Sequence, residues 1–87
     1  MNEPITMRAK MEVESITIGY GNMETVKMKA VCKHESYPAD GKDDDNTYAL
    51  WTPTGEISLS ITNPALHGKF KPGQKFYLDF TQAVDTK

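Results

Sequence analysis

Between Thr47 and Thr81 the sequence reads TYALWTPTGEISLSITNPALHGKFKPGQKFYLDFT. Apolar and polar residues alternate in three short segments of this stretch, which is the period of a half-buried β-strand. The segments are separated by TPTG, by an Asn-Pro pair and by a Pro-Gly pair, which are signals for turns or for the start of a helix. The stretch therefore predicts short antiparallel strands joined by tight connections.

The first two segments, residues 48–51 and 56–62, are predicted to form a hairpin. The TPTG sequence between them suits a type I turn, with Pro at its second position and Gly at its fourth. If Trp51 lies opposite Glu56, then Leu50 lies opposite Ile57 on an apolar face. Trp51 would then point away from that face.

The connection to the last segment has a helix-start signal. Asn63 is a helix N-cap followed by Pro at the first helical position, so we expect one helical turn over Ala65–His67. Residues 71–74 predict a type II turn. The last strand is expected over Lys75–Thr81. Its core-facing residues are predicted to be Phe76, Leu78 and Phe80.

The N-terminal half predicts a second hairpin, with strands over Arg8–Ile18 and Thr25–Cys32 around the turn Gly19–Asn22. The apolar phase of the first strand slips near Ser15 and Ile16, which indicates a β-bulge or a change of buried face. The expected cross-strand pairs are Met11 with Ala30, Glu12 with Lys29, Val13 with Met28, and Glu14 with Lys27. A bulge at Ser15 would shift these partners by one residue.

Together these elements predict an all-β fold, a small five-stranded antiparallel barrel with one helical turn between strands four and five. That helix position favours an SH3-like arrangement, with an OB-like barrel as the alternative. With 87 residues the chain is expected to form a single domain over residues 1–87, ordered from about 8 to 81.

Composition limits the classes of function. Ten basic and 12 acidic residues give a net charge of −2, so we do not expect non-specific binding to nucleic acid. The sequence has neither an apolar run of membrane-span length nor a signal-peptide region at its N-terminus, so we expect a cytoplasmic protein without membrane contacts. The single Cys32 cannot form an internal disulfide and is interpreted as a small buried residue.

The sequence offers little for catalysis or for metal binding. His34 and His67 are the only histidines, and both lie in predicted connections rather than beside a nucleophile. Residues 33–46 include the run Asp43–Asp45 but do not follow the ligand spacing of a calcium loop, so we interpret them as a solvated acidic loop. We predict no enzyme activity, no metal and no cofactor.

Exposed aromatic residues are the most specific functional signal. If the strand parities hold, Trp51 and Tyr77 point outward, and Lys27 and Lys29 share the outer surface. Aromatic rings with lysines nearby can stack a base and hold its phosphates. The candidate contact residues are Trp51, Tyr77, Lys27, Lys29, Thr52 and Thr54. The alternative is that Trp51 closes one end of the barrel or lies in a homodimer contact.

Four motifs in the C-terminal half resemble a family of short proteins encoded by tailed bacteriophages and prophages. They are T-P-x-G at 52–55, N-P-A at 63–65, F-x-P-G at 70–73 and F-Y-L-D-F-T at 76–81. In this chain Ala65 follows Pro64 directly, where the family has a spaced N-P-x-A. The resemblance implies a phage accessory protein in the cytoplasm of the bacterial host. It implies neither a catalytic residue nor a ligand.

The leading hypothesis is a non-catalytic binding module for counter-defence or host takeover. It would sequester a cyclic nucleotide or another nucleotide-like signal, or block a host protein, and could act as a homo-oligomer. Two other classes stay open: a structural or assembly component of the virion, and a module that binds single-stranded nucleic acid. The acidic balance argues against the last of these.

Overall fold

The computed structural model describes residues 4–33 and 35–84. They form one four-stranded antiparallel sheet that curls into a half-barrel, so the all-β prediction is confirmed. The strands are β1 (Ile5–Ile18), β2 (Glu24–Ala30), β3 (Glu56–Ile61) and β4 (Lys75–Thr81). Their order across the sheet is β3-β2-β1-β4. The helical elements of the described residues are two 3₁₀ turns, Tyr20–Asn22 and Pro64–Leu66.

The hairpin of β1 and β2 has the predicted register in the half that is far from its turn. The pairs Met11 with Ala30, Glu12 with Lys29 and Val13 with Met28 are all present. The register then shifts between Val13 and Ser15, so Ser15 faces Lys27 and the predicted pair of Glu14 with Lys27 is wrong. This bulge explains the slip in apolar phase, because one extra residue returns Ile16 to the face that carries Val13.

The predicted second hairpin is wrong. Residues 48–51 form no strand, and their one ladder contact is an isolated bridge between Leu50 and Lys42. β3 instead pairs with β2, which sets Ile57 opposite Met28. The described residues therefore hold four strands rather than five, and neither the SH3-like nor the OB-like barrel is confirmed. Leu50 is consequently exposed and does not face Ile57 in a core.

The connection from β3 to β4 agrees closely with the sequence signals. The Asn63 side chain accepts a hydrogen bond from the backbone N–H of Ala65 at 3.0 Å, as an N-cap does. The 3₁₀ turn begins at Pro64, one residue earlier than expected. Beyond it, the backbone N–H of Gly68 donates to Glu24 Oε2 at 2.9 Å. This bond ties the connection to the start of β2.

The turn before β4 is the predicted one. The backbone N–H of Gln74 donates to the carbonyl of Lys71 at 3.1 Å, and Gly73 has a φ of +94°, as the third residue of a type II turn requires. β4 has the predicted bounds and pairs antiparallel with β1, the central strand beside β2. β4 is therefore an edge strand of the sheet.

The apolar core is thin and lies on one side of the sheet, which we call the apolar face. Six apolar side chains are buried among the described residues: Ala9, Met11, Val13, Val26, Met28 and Ile61. Phe76 and Leu78 pack against this cluster as predicted. Phe80 is 45 % exposed, so its assignment to the core is wrong. It lies opposite Met7, near the end of the edge strand β4.

The connection between β2 and β3 differs most from expectation. Asp43 and Asn46 are buried, although residues 33–46 were expected to be a solvated loop. Cys32 is exposed, although it was expected to be buried, because β2 ends at Ala30 and no strand carries it inward. The prediction for His34 lies outside the described residues.

Candidate binding surface

Asn46 anchors the connection to the sheet. Its Oδ1 accepts a hydrogen bond from the backbone N–H of Lys10 at 2.7 Å, and its Nδ2 donates to the carbonyl of Val31 at 2.8 Å. Nδ2 also donates to Asp43 Oδ2 at 3.1 Å. The side chain thus supplies the hydrogen bonds that β1 and β2 lack beyond the pair of Met11 with Ala30. A fully buried amide is tolerated there because all of these bonds are made.

Asp43 organises the turn that carries Asn46. Its Oδ1 accepts hydrogen bonds from the backbone N–H groups of Asp45 at 2.9 Å and Asn46 at 3.1 Å. Burial alone would raise the pKa of the Asp43 carboxyl, but the bonds donated by the Asn46 side chain and by backbone N–H groups outweigh it and lower the pKa. The carboxylate is therefore the form that holds the turn.

Thr47 continues the same docking along β1. Its backbone N–H donates to the carbonyl of Arg8 at 2.9 Å, and its Oγ1 accepts from the N–H of Arg8 at 2.9 Å. Residues 43–47 therefore replace a strand beside the first part of β1. The next residues along the chain, including Trp51, start from a fixed point on the sheet.

Trp51 lies in a strained and closely packed position. Its φ is +65°, a left-handed conformation that is rare for a bulky residue. Its backbone N–H donates to the carbonyl of Gly41 at 2.8 Å, and its ring packs against Tyr37 with the centroids 5.7 Å apart. A Cβ on Gly41, which has a φ of +76°, would overlap the indole. We call Tyr37, Gly41 and Trp51 the Trp51 platform.

The indole of the Trp51 platform stays accessible. Trp51 is 50 % exposed, although one side of its ring lies against Gly41. Its exposure does not arise from the predicted strand parity, because residues 48–51 are not a strand. It arises from the left-handed backbone at Trp51, for which alternation of residue types gives no signal.

Tyr77 belongs to a charged cluster on the side of the sheet opposite to the apolar face. We call this side the polar face. Arg8 Cζ lies 4.5 Å from the centroid of its ring, and its hydroxyl donates to Asp45 Oδ1 at 3.0 Å. That hydrogen bond is the main reason why the pKa of Tyr77 is raised. Arg8 also pairs with Asp79, whose pKa it lowers, and Lys10 Nζ lies 3.3 Å from Asp45 Oδ2.

A continuous path of contacts joins the two predicted aromatic residues. The Trp51 ring packs on Tyr37, whose hydroxyl donates to Asp43 Oδ2 at 3.4 Å. Asp43 accepts from the N–H of Asp45, and Asp45 accepts from the hydroxyl of Tyr77. The acidic run that was expected to be solvated therefore connects the Trp51 platform to the polar face.

The other candidate residues are more dispersed. Lys27 and Lys29 are exposed on the polar face, where they lie opposite Ser58 and Glu56 of β3. They share that face with Tyr77, but β1 lies between them. Thr52 and Thr54 are exposed in the loop after Trp51. The structure thus separates the candidates into a loop group around Trp51 and a sheet group around Tyr77.

Sequence reasoning missed Tyr37, Gly41, Asp43, Asn46, Arg8 and Lys10. The pairing of β1 with β4 would have identified two of them, because it sets Lys10 opposite Tyr77 and Arg8 opposite Asp79. Asp43 bonds to backbone N–H groups two and three residues further on, which is a local turn pattern that Asp and Asn favour. Tyr37, Gly41 and Asn46 act through contacts with distant residues or through a positive φ, for which the spacing of residue types carries no signal.

The described histidine is engaged within the fold. His67 Nε2 lies 3.1 Å from the carbonyl oxygen of Ile61. Across residues 4–33 and 35–84, no group of three or more His, Cys, Asp or Glu side chains is arranged to hold a metal ion. The same part of the chain contains no helix that is long and apolar enough to cross a membrane.

Comparison with known proteins gives no assignment of family or function. No protein-family model, no curated protein and no solved structure matches this chain.

Proposed function

We propose that this protein is a non-catalytic binding module that presents the Trp51 platform to a planar group of its partner. The observation that carries the proposal is a half-exposed indole held in a left-handed backbone conformation. A residue in such a conformation costs about 1 to 3 kcal/mol and persists only where its surroundings enforce it. Here the hydrogen bond to Gly41 and the packing on Tyr37 enforce it.

A rigid indole is suited to stacking. Stacking of a base on an aromatic side chain contributes about 1 to 3 kcal/mol, and a ring that is already fixed loses little further entropy on binding. Thr52 and Thr54 place hydroxyl groups on the exposed chain that leaves the platform. We therefore propose a nucleotide-like signalling ligand, such as a cyclic nucleotide, or an aromatic or arginine side chain of a host protein.

The polar face has a secondary part in this proposal. Tyr77 already contacts Arg8 and Asp45, so its ring is less free than that of Trp51. Lys27 and Lys29 are exposed cations that can attract phosphate groups. The contacts through Asp43 hold the two groups of residues in a fixed relative position.

The biological setting is proposed from the sequence resemblance. A phage accessory protein of this size fits a role in counter-defence or host takeover within the bacterial cytoplasm, where it acts by occupying a ligand or a host protein. The physical support for binding comes from the Trp51 platform, and the setting is a separate proposal.

The test uses the only tryptophan of the chain as its own probe. We expect a cyclic nucleotide from a panel to change the Trp51 fluorescence saturably. At 100 times its dissociation constant it should raise the free energy of unfolding by about 2.7 kcal/mol, read by thermal shift. Trp51→Ala should weaken binding about 10- to 100-fold by calorimetry, whereas Ser58→Ala on β3 should leave it unchanged.

The proposal has two branches, a small nucleotide-like ligand and a host protein, and each can be contradicted by one result. If no nucleotide changes the fluorescence or the melting temperature, the small-ligand branch fails. The protein branch is tested by capture from a bacterial lysate with the wild-type chain and with Trp51→Ala. If both retain the same proteins, the Trp51 platform is not the contact surface.

A virion structural or assembly component is the second candidate function. It is favoured by the thin core, which leaves large apolar side chains such as Leu59 and Phe80 half-exposed and available to a neighbouring subunit. Such a component should copurify with phage particles, whereas a binding module should stay in the soluble fraction of infected cells. Binding of single-stranded nucleic acid is a third candidate, and it predicts retention of oligonucleotides that weakens with salt.

A further inference from the structure

The apolar face is only partly covered. Leu59 lies opposite the buried Val26, so it points to the same side of the sheet, yet it is 49 % exposed. Phe80 lies opposite Met7 on that side and is 45 % exposed. A pocket of about 170 Å³ opens on the same side, and its apolar walls include Met7, Ile57, Tyr48 and Phe80. The middle of the apolar face is therefore buried, whereas its two edge strands keep large apolar side chains exposed.

The dimensions of the molecule agree with an apolar face that is only partly covered. The chain measures 48 × 38 × 16 Å, and its radius of gyration is 15.4 Å, whereas a globular domain of this length has about 12 Å. Its accessible surface is 6458 Å², whereas a folded monomer of this mass exposes about 5,100 Å². The difference exceeds the roughly 800 Å² that each partner buries in a stable interface of standard size.

We propose that the apolar face packs against the same face of a second copy of this chain. A sheet with one apolar side is stable when that side is buried against another layer, and two curled sheets packed face to face form a two-layer sandwich. The contact would be isologous, and it would bury Leu59 of one edge strand and Phe80 of the other in each copy. The polar face, with its charged residues, would stay in solvent on both sides.

Three features favour a second copy over a different protein. The excess surface is large enough to supply one standard half-interface, which a twofold dimer would bury once in each chain. The exposed side chains that would meet, Leu59 and Phe80, are apolar, so they carry no charge pattern that would select a partner of opposite sign. Twofold homodimers are also the commonest soluble assembly. The proposal is independent of the proposed ligand, which contacts the Trp51 platform.

The test measures the mass of the full chain in solution by light scattering and by sedimentation, from low to high micromolar concentration. We expect twice the 9.7 kDa of one chain and a melting temperature that rises with protein concentration. Leu59→Glu should weaken the dimer at least about 100-fold, because it places a charge inside the apolar contact. Ser58→Glu is the matched control, since the neighbouring residue faces the opposite side of the sheet and should leave the dimer intact.

A second variant keeps the result interpretable if Leu59→Glu does not fold. Phe80→Asp alters the same face from the other edge strand, and circular dichroism of both variants reports whether the sheet is retained. A folded monomer after either substitution supports the proposal. A wild-type chain that stays monomeric over the whole concentration range overturns it, as does a dimer that survives both substitutions. Trp51 fluorescence on nucleotide addition tests the proposed function separately.

Discussion

The β1–β2 hairpin and the connection from β2 to β3 reach their structures by different means. The hairpin is held by a regular ladder and by burial of Val13, Val26 and Met28 on one side. The connection has little regular structure and is held by the buried polar side chains of Asp43 and Asn46. An apolar core tolerates approximate fit, whereas a buried polar network requires every bond. We therefore expect the connection to be the more sensitive of the two.

The largest effect should come from loss of the amide that anchors the connection. Asn46→Ala removes bonds to Lys10, Val31 and Asp43 and leaves their buried polar groups unsatisfied, so we expect a loss of about 3 to 4 kcal/mol in the free energy of unfolding. Val26→Ala in the hairpin should cost about 2 kcal/mol. Denaturant unfolding of both variants makes the comparison.

The control for this prediction is Asp44→Ala, an exposed position in the same segment. It should change the free energy of unfolding by less than about 0.5 kcal/mol. If Asn46→Ala is as mild as the control, the connection is not held by its polar network and the contrast with the hairpin disappears.

A smaller effect is expected at the glycine beneath the indole. Gly41→Ala places a Cβ on a residue with a φ of +76° and into the space that Trp51 occupies, so we expect a loss of about 2 to 3 kcal/mol and a shift of the Trp51 emission. Gly73→Ala is the matched control, because Gly73 has a φ of +94° but open space around it. That change should cost about 1 kcal/mol.

The outcome that would contradict this prediction is equal destabilisation by the two substitutions. The cost would then come from the backbone alone, and the indole would not be packed on Gly41. The double variant Gly41→Ala with Trp51→Ala gives a further check, since removal of the ring should recover the part of the loss that exceeds the Gly73 value.

The smallest expected effect is a dependence of stability on pH that is specific to the connection. The pKa of the Asp43 carboxyl is lowered in the folded chain. Its contribution to the free energy of unfolding is therefore complete at pH values above the pKa of the same carboxyl in the unfolded chain, near 4. That contribution is lost as the pH falls through the folded pKa. Thermal unfolding from pH 6 to pH 2 should therefore show a loss of stability that is reduced in Asp43→Asn.

The pH experiment also distinguishes the two regions. Hydrogen exchange at pH 3 should show opening of residues 43–47 before the hairpin, because protonation of Asp43 weakens the bonds that hold the turn, whereas the hairpin is held by its strand pairing and its apolar core. If Asp43→Asn has the same pH profile as the wild-type chain, the acid sensitivity arises elsewhere and Asp43 does not hold the turn as a carboxylate.

Local patterns predicted much of the strand content. The pairs of Met11 with Ala30 and Val13 with Met28, the N-cap at Asn63 and the bounds of β4 were all readable from alternation and turn residues. The strand over residues 48–51 was wrong, because alternation over four residues is too short to outweigh the left-handed backbone that tertiary contacts impose at Trp51.

For the candidate site, the sequence predicted which aromatic residues are exposed, but it did not predict which residues they contact. Trp51 and Tyr77 were selected as a pair on one surface. In the structure Trp51 packs on Tyr37 and Tyr77 contacts Arg8, and the acidic run connects them. The bond between Tyr77 and Asp45 joins residues that are 32 positions apart, and no spacing rule reaches that far.

The amino-acid sequence by itself determined the all-β class, the outer register of the first hairpin and the turns that bring the chain into β4. These features depend on neighbouring residues and on side-chain periodicity, which are local properties. Only the tertiary structure decided the order β3-β2-β1-β4, the burial of Asp43 and Asn46, and the position of the indole. Each of these depends on which distant groups satisfy a buried hydrogen bond or fill a given space, and that is settled only when the whole chain has packed.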